Sequence, residues 1–221
     1  MVSGDVQLLD ADGTLALIAT PEIAVLVEVG ALDDVVTVAC IDPAVRLRRA
    51  VANRVAPVAA VRVADDAIER RGHVLAAAML TGITEAVRDM ASDHAKNRVQ
   101  FDRPIGVNQA IKHPCADMAV RAQLSLAQTL FAALTTDEGR EDADFHALSA
   151  HLVAAEAAEF ATAATVQILG GIDYSFEHDA HLYVKRTHGY VAVVRRNRGA
   201  AHTSAEPARP PLTGVPRCPS C

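Results

Sequence analysis

A mainly α-helical fold, an antiparallel four-helix bundle preceded by a partial β domain, is what the sequence predicts, on three observations. Apolar residues make up 51 % of the chain, yet only 4 % are aromatic and none is Trp. The core must therefore be built from Ala, Val, Leu and Ile, and alanine-rich faces let helices approach closely, which favours a bundle over a sandwich. Near Ala64 the apolar pattern changes from short β-branched runs to helical spacing. Polar and glycine breaks then cut the remainder into long segments with short connections, the pattern of antiparallel neighbours. With 221 residues, the chain is long enough for one good core, or for one domain and a fragment.

Residues 1–64 are read as a partial β domain. Val6–Leu9, Leu15–Ala19, Ile23–Val29, Val35–Cys40 and Val55–Val63 are short Val/Ala/Ile/Leu runs bounded by Asp, Gly and Pro. Asp12-Gly13 is a hairpin-turn signal between the first two. These strands make a thin sheet without an evident partner layer, so they look like a piece of a larger β domain.

Residues 65–189 are read as the bundle. The first helix, 65–97, carries Ile68, Val74, Leu75, Met79, Ile83, Val87 and Met90 as its apolar face. The second, 105–135, presents Ile105, Ile111, Met118, Leu124, Leu126, Leu130 and Leu134. After a polar break at 135–140, a third helix over 141–169 is built around Phe145, Leu148, Leu152, Phe160 and Val166. Gly170-Gly171 stops it, because glycine supplies the left-handed cap. A shorter fourth helix is expected over Phe176–Thr187. Residues 190–221 have no apolar period and read as a disordered tail.

The connection between the first two helices, Arg98-Val-Gln-Phe-Asp-Arg-Pro-Ile-Gly-Val-Asn-Gln109, is the stretch around which the rest is arranged. Pro104 can begin the second helix but could not lie inside the first. Arg98, Gln100, Phe101 and Gln109 put a cation, an aromatic face and two amides at one junction. That set could hold a diphosphate and a flat ring; spacing alone favours an ordinary polar connection.

Other classes are disfavoured. A net charge of −6 speaks against a nucleic-acid surface while allowing an anionic cofactor in a local basic pocket. No uninterrupted apolar run reaches the roughly 18 residues of a membrane span, and the first residues lack a signal-peptide pattern. Cys40, Cys115, Cys218 and Cys221 are too sparse for a secreted disulfide framework, so a cytoplasmic setting is expected. His113, His146 and His151 sit on helical segments without a second ligand at metal spacing, so no metal site is expected. His178 and His181 are three residues apart beside Asp179, and Cys218-Pro-Ser-Cys221 lacks the further ligands zinc requires.

A second stretch, Gln167-Ile-Leu-Gly-Gly-Ile-Asp-Tyr-Ser-Phe-Glu177, follows the hinge by about 60 residues. With the helix order, the two stretches resemble the C-terminal part of an acyl-CoA dehydrogenase. The hinge matches that family's Arg-x-x-Phe-Gly-x-Pro-Ile-x-x-x-Gln pattern at Arg98, Phe101, Pro104, Ile105 and Gln109. Gln109–Met118 and Glu177–Arg186 look like an actinobacterial branch of paired, unlike subunits acting on CoA thioesters of steroid side chains and other bulky acyl groups. The resemblance implies FAD as cofactor, acyl-CoA as substrate, and a homo- or hetero-oligomer with another acyl-CoA dehydrogenase subunit. By the same resemblance Arg98 would pair with the FAD pyrophosphate, and Phe101 would pack on the cofactor with Gln100 and Gln109 near its polar edges. Gln167, Gly170 and Gly171 would approach the adenosine end.

The chain departs from the family pattern in ways that bear on activity. One family location for the carboxylate base falls near Val194 and the other near Gly72, and neither holds a Glu. Glu69 and Glu85 read as solvated helix-face charges, so the catalytic residue is unknown. Asp102 and Asp173 stand where the family places glycine. The family's N-terminal helical domain and most of its β domain have no counterpart in these residues, so an isolated chain is expected to be inactive. The alternative is a non-catalytic remnant, or an oligomerising helical bundle without flavin.

Overall fold

The computed structural model describes residues 2–9, 13–19, 23–62, 67–170 and 179–201, the last ten of them by backbone alone. Its strands are β1 (Val2–Leu9), β2 (Leu15–Ala19), β3 (Ile23–Glu28), β4 (Asp33–Val38), β5 (Leu47–Val55) and β6 (Ala59–Arg62). Then come helix α1 (Ala67–Asn97), a miniature hairpin of β7 (Val99–Gln100) and β8 (Arg103–Pro104), and helices α2 (Gln109–Asp137), α3 (Ala143–Leu169) and α4 (Ala180–Ala201).

The β portion is two antiparallel three-stranded sheets, in the orders β1-β5-β4 and β2-β3-β6. Leu8, Ala50, Ala52 and Val55 from one sheet and Ala16, Val25 and Val27 from the other form a single buried cluster. Each sheet is therefore the other's partner layer, which corrects the expectation of a lone sheet. The expected hairpin of β1 with β2 does not form, and Asp12 lies outside the described residues. β1 pairs with β5 and β2 with β3, because placing β1 and β2 in opposite layers lets Leu8 and Ala16 enter one core. β5 escapes the sequence reading, since Arg48, Arg49 and Arg54 mask its buried Ala50, Ala52 and Val55. The expected strand over Val55–Val63 is divided by Ala56-Pro57-Val58, consistent with proline's missing donor.

The helices form the expected bundle, but with a different inside. Its core is Ala77, Leu80, Ile83, Val87, Ala91 and Ala95 on α1, Met118 and Ala132 on α2, and Ala150, Ala154, Ala158 and Ala161 on α3. Leu75 and Met79 on α1, Leu124, Leu130 and Leu134 on α2, and Phe145 and Leu152 on α3 are exposed instead. Small residues take the interior because they allow close helix contact; this is also where hydroxyls find partners. The Thr165 hydroxyl donates to the Val87 carbonyl across α3 and α1 at 3.0 Å, and Thr81 and Ser125 are 2.5 Å apart across α1 and α2. α2 continues through Pro114, which removes one backbone bond to Ala110 near the helix start. By length and composition α3 could span a membrane, yet half of that stretch is buried inside the bundle.

α4 extends to Ala201, so residues 190–201 are helical rather than the start of a tail. Val191 is buried there, and nothing from Gly189 to Ala201 forbids helix: Val, Arg, Asn and Ala follow without proline. The fourth helix begins at Ala180; residues 171–178 and 202–221 lie outside the described residues. The β and helical portions are linked at Arg186 of α4, whose guanidinium donates two bonds to the Asp42 carboxylate at 2.8 and 3.4 Å.

Candidate functional site

The hinge is not a bare helical connection. The Arg98 amide donates to His94 at the end of α1, after which the chain turns out as the β7–β8 hairpin, with Val99 opposite Pro104 and Gln100 opposite Arg103. The Ile105 amide closes its base by donating to the Arg98 carbonyl at 2.8 Å. Phe101 and Asp102 occupy the tip at φ 53° and 60°, the left-handed conformation of a type I′ turn. Pro104 consequently lies in β8 and does not start α2. A single turn, Ile105–Val107, intervenes, and Asn108 caps the helix through its carbonyl, which accepts from the Ile111 and Lys112 amides at 3.0 Å.

This geometry presents the predicted residues outward. Phe101 is 94 % exposed, and Arg98, Gln100 and Gln109 are exposed as well. The Arg98 guanidinium makes no ion pair among the described residues. Asp102, also exposed, is the discordant member, an anion beside a cation-and-amide set. Gly106 seats the hairpin: a Cβ there would lie 2.9 Å from the Ala95 carbonyl oxygen, so only glycine allows this approach to α1. Beside it, between the end of α1 and the start of α2, is a cleft of about 400 Å³ with Ala95, Val107 and Ile111 in its wall and Lys96 and Lys112 at its edge. Burial pushes the Cys115 thiol in that cleft upward from its ordinary pKa. The sequence reading assigned none of these cleft residues to a site; a glycine directly after Pro104-Ile105 was the available signal.

Gln167 and Gly170 lie at the C-terminal end of α3, both exposed. Gly170 caps the helix at φ 61° and ψ −135°, its amide donating to Val166, a backbone region favouring glycine. α1 and α3 are parallel, as the levels of Arg70 with Asp144 and Val87 with Thr165 show. The α2 helix runs antiparallel to them, so the hinge and Gln167–Gly170 share one end of the bundle. No hydrogen bond joins the two motifs among the described residues. Gly171 and Asp173 lie outside those residues.

The segment around Gly72 holds a different group. His73 Nε2 is 3.6 Å from a Glu69 oxygen, and His73 Nδ1 is 3.5 Å from His151 Nδ1. His151 is 1 % exposed, with Nε2 lacking a partner among the described residues. Burial, then the neighbouring His73, lowers the His151 pKa to about 4. His151 is thus a neutral core residue rather than a helix-surface one, and Glu69 faces a histidine as well as solvent. The sequence could not pair them, since they are 78 residues apart. Among the described residues no group of three or more candidate ligands could hold a metal ion.

Comparison with known proteins agrees with this architecture. Residues 70–193 match the acyl-CoA dehydrogenase C-terminal domain. The chain is 35 % identical over 189 residues to acyl-CoA dehydrogenase FadE34 of Mycobacterium tuberculosis, covering 84 % of this chain and 25 % of that protein. It is 35 % identical over 161 residues to acyl-CoA dehydrogenase IpdE2 of the same organism, covering 73 % and 48 %. The chain therefore spans between a quarter and about half the length of these two relatives. Its fold resembles that of the ChsE4-ChsE5 complex from Mycobacterium tuberculosis, with a TM-score of 0.74 at 23 % identity over 92 % of this chain and 60 % of that one. The described bundle, the hinge hairpin and this match together establish that the chain belongs to the acyl-CoA dehydrogenase family and carries its C-terminal domain.

Proposed function

We propose that this chain contributes one wall of a flavin site in an acyl-CoA dehydrogenase-type oxidoreductase, completed by residues outside the described chain. The observation that carries the reading is the hinge hairpin, which projects Phe101 almost fully exposed with Gln100 beside it and Arg98 at the base. A side chain of that size held in solvent on a rigid turn is arranged to meet something external.

Members of this family depend on FAD. The residues present fit its ADP half: Arg98 would take the pyrophosphate through paired N–H donors, Phe101 would stack on a flat ring, and Gln100 and Gln109 would bond polar edges. Gln167 and Gly170, with Gly171, would face the adenosine end. Asp102 fits this anionic partner poorly. When bound, FAD supplies the acceptor for a hydride leaving the β-carbon of an acyl-CoA thioester. Taking the α-proton requires a carboxylate near the substrate; neither expected position here carries one, so that group would come from another subunit. The substrate class would be bulky acyl thioesters of lipid or steroid side-chain catabolism, supported by the likeness of Gln109–Met118 and Glu177–Arg186 to the paired-subunit branch.

The test is flavin absorbance of the purified chain, alone and co-expressed with an acyl-CoA dehydrogenase subunit. Flavin retained in the co-expressed sample and reduced at least tenfold by Arg98→Ala is the expected result. Absence of flavin from both samples would reject the reading and leave an oligomerising bundle without cofactor, the outcome that Asp102 favours.

A further inference from the structure

We infer that the cleft between the end of α1 and the start of α2 is a binding site for a small aliphatic carboxylate, its chain held by the apolar wall and its anion by Lys112 and Lys96. The cleft encloses about 400 Å³, within the range that takes small organic ligands. Its wall is saturated carbon from Ala95, Pro104, Val107 and Ile111. Val107 is 42 % exposed there, apolar surface left open at a concave position. No aromatic side chain lines the cleft, and Ser92 and Cys115 supply its uncharged polar groups. A nucleobase entering it would give up several hydrogen bonds to water for few partners, whereas an aliphatic chain gives up none. The wall therefore selects a flexible hydrocarbon over a flat heterocycle.

Charge fixes the other end of the ligand. The chain as a whole carries −6, yet the lining of this cleft holds two lysines and no carboxylate. Lys112 makes no ion pair among the described residues. It lies in the first turn of α2, which contains no acidic residue, and the free amides and dipole at a helix start favour an anion. Lys96 bonds Asp93 at 3.2 Å, but both side chains are about 70 % exposed, so that pair is weak and leaves the ammonium available. An apolar interior with a cationic rim matches a molecule with one hydrocarbon end and one anionic end. Neither Arg98, Gln100, Phe101 nor Gln109 lines the cleft. The inference therefore stands apart from the flavin reading, and either can fail alone.

Alkylation of Cys115 by N-ethylmaleimide tests it on the complete chain, because this half-buried thiol lines the cleft. Trypsin releases Cys115 in the peptide 113–121, apart from Cys40, so mass spectrometry follows the two thiols separately. Octanoate, kept below its micelle concentration, is expected to slow Cys115 alkylation about fivefold when in excess over its Kd, with Cys40 unchanged. Octanol, which has the chain without the charge, and acetate, which has the charge without the chain, are each expected to protect far less. A Lys96→Ala, Lys112→Ala double variant is expected to lose the octanoate effect. The comparison of the three compounds on the unaltered chain decides the matter if that variant misfolds. Equal protection by octanol or acetate, no protection by octanoate, or equal slowing at Cys40 overturns the inference. So does protection that survives in a folded double variant.

Discussion

Asp102 at the hairpin tip illustrates how one residue can act on both stability and ligand. At φ 60° an L-residue sits in a region that glycine enters freely and that costs other residues about 1 kcal/mol, somewhat less for Asp. Asp102→Gly is therefore expected to raise stability by about 0.5–1 kcal/mol in chemical denaturation and to strengthen flavin retention by removing an anion from the site. Both effects share a sign, and a destabilised Asp102→Gly chain would show that the carboxylate does structural work in the turn. His151 predicts a pH dependence instead. Its folded pKa, about 4, is depressed from 6.5, so below pH 6.5 the unfolded chain takes up a proton that the folded chain refuses. The stabilisation is complete above pH 6.5 and is lost progressively as pH falls toward about 4. Thermal melts across pH 4–7 should show this slope, and His151→Leu should flatten it. An identical slope in that variant would place the titration elsewhere.

At the scale of elements, the hinge depends on how closely the Ile105–Val107 turn can approach α1. The Cβ of a Gly106→Ala variant would meet a backbone oxygen at 2.9 Å, and backbone cannot swing aside as a side chain can. Overpacking of this kind costs about 1–3 kcal/mol, and it should displace the hairpin from the end of α1. Loss of that stability together with weaker flavin retention, read by denaturation and absorbance, is the expected outcome; an unperturbed Gly106→Ala would mean the turn has slack. The hinge was legible as a break between helices and as a carrier of Arg98, Gln100, Phe101 and Gln109. Its hairpin form was not legible, because Phe-Asp lacks the usual glycine signal of a type I′ turn and tertiary packing imposes the positive φ values. The apolar faces of α1, α2 and α3 were read only in part, for a related reason: Ile83, Val87 and Met118 are buried as expected, but Leu75, Met79, Leu124, Leu130, Leu134, Phe145 and Leu152 are exposed. Periodicity identifies an apolar stripe, but an alanine-rich helix has two, and side-chain size does not say which one faces inward.

At the scale of the whole molecule, an ion pair joins the loop between β4 and β5 to α4. Asp42 is 1 % exposed and Arg186 partly so. The Arg186 guanidinium holds the Asp42 carboxyl below its ordinary pKa, against the opposing effect of burial. Asp42 is stabilising above pH 3.8, and that contribution disappears as pH falls through the lowered folded value, a window separate from that of His151. Arg186→Ala leaves a buried carboxylate unpaired and should cost about 2–3 kcal/mol, with hydrogen exchange rising first in the 41–46 loop and along α4. A cost below about 0.5 kcal/mol would show that the two portions are held by packing alone.

The sequence by itself determined the order of a β portion followed by four helices, the family, and the position of the hinge between the first two helices, because periodicity, glycine placement and motif spacing are local properties written along the chain. Tertiary structure decided which strands share a core, which side of each helix is inside, that His73 meets His151 and Asp42 meets Arg186, and that the hinge projects as a hairpin. Those outcomes depend on contacts between residues up to 144 positions apart, where steric fit and desolvation choose among arrangements that local pattern leaves equal.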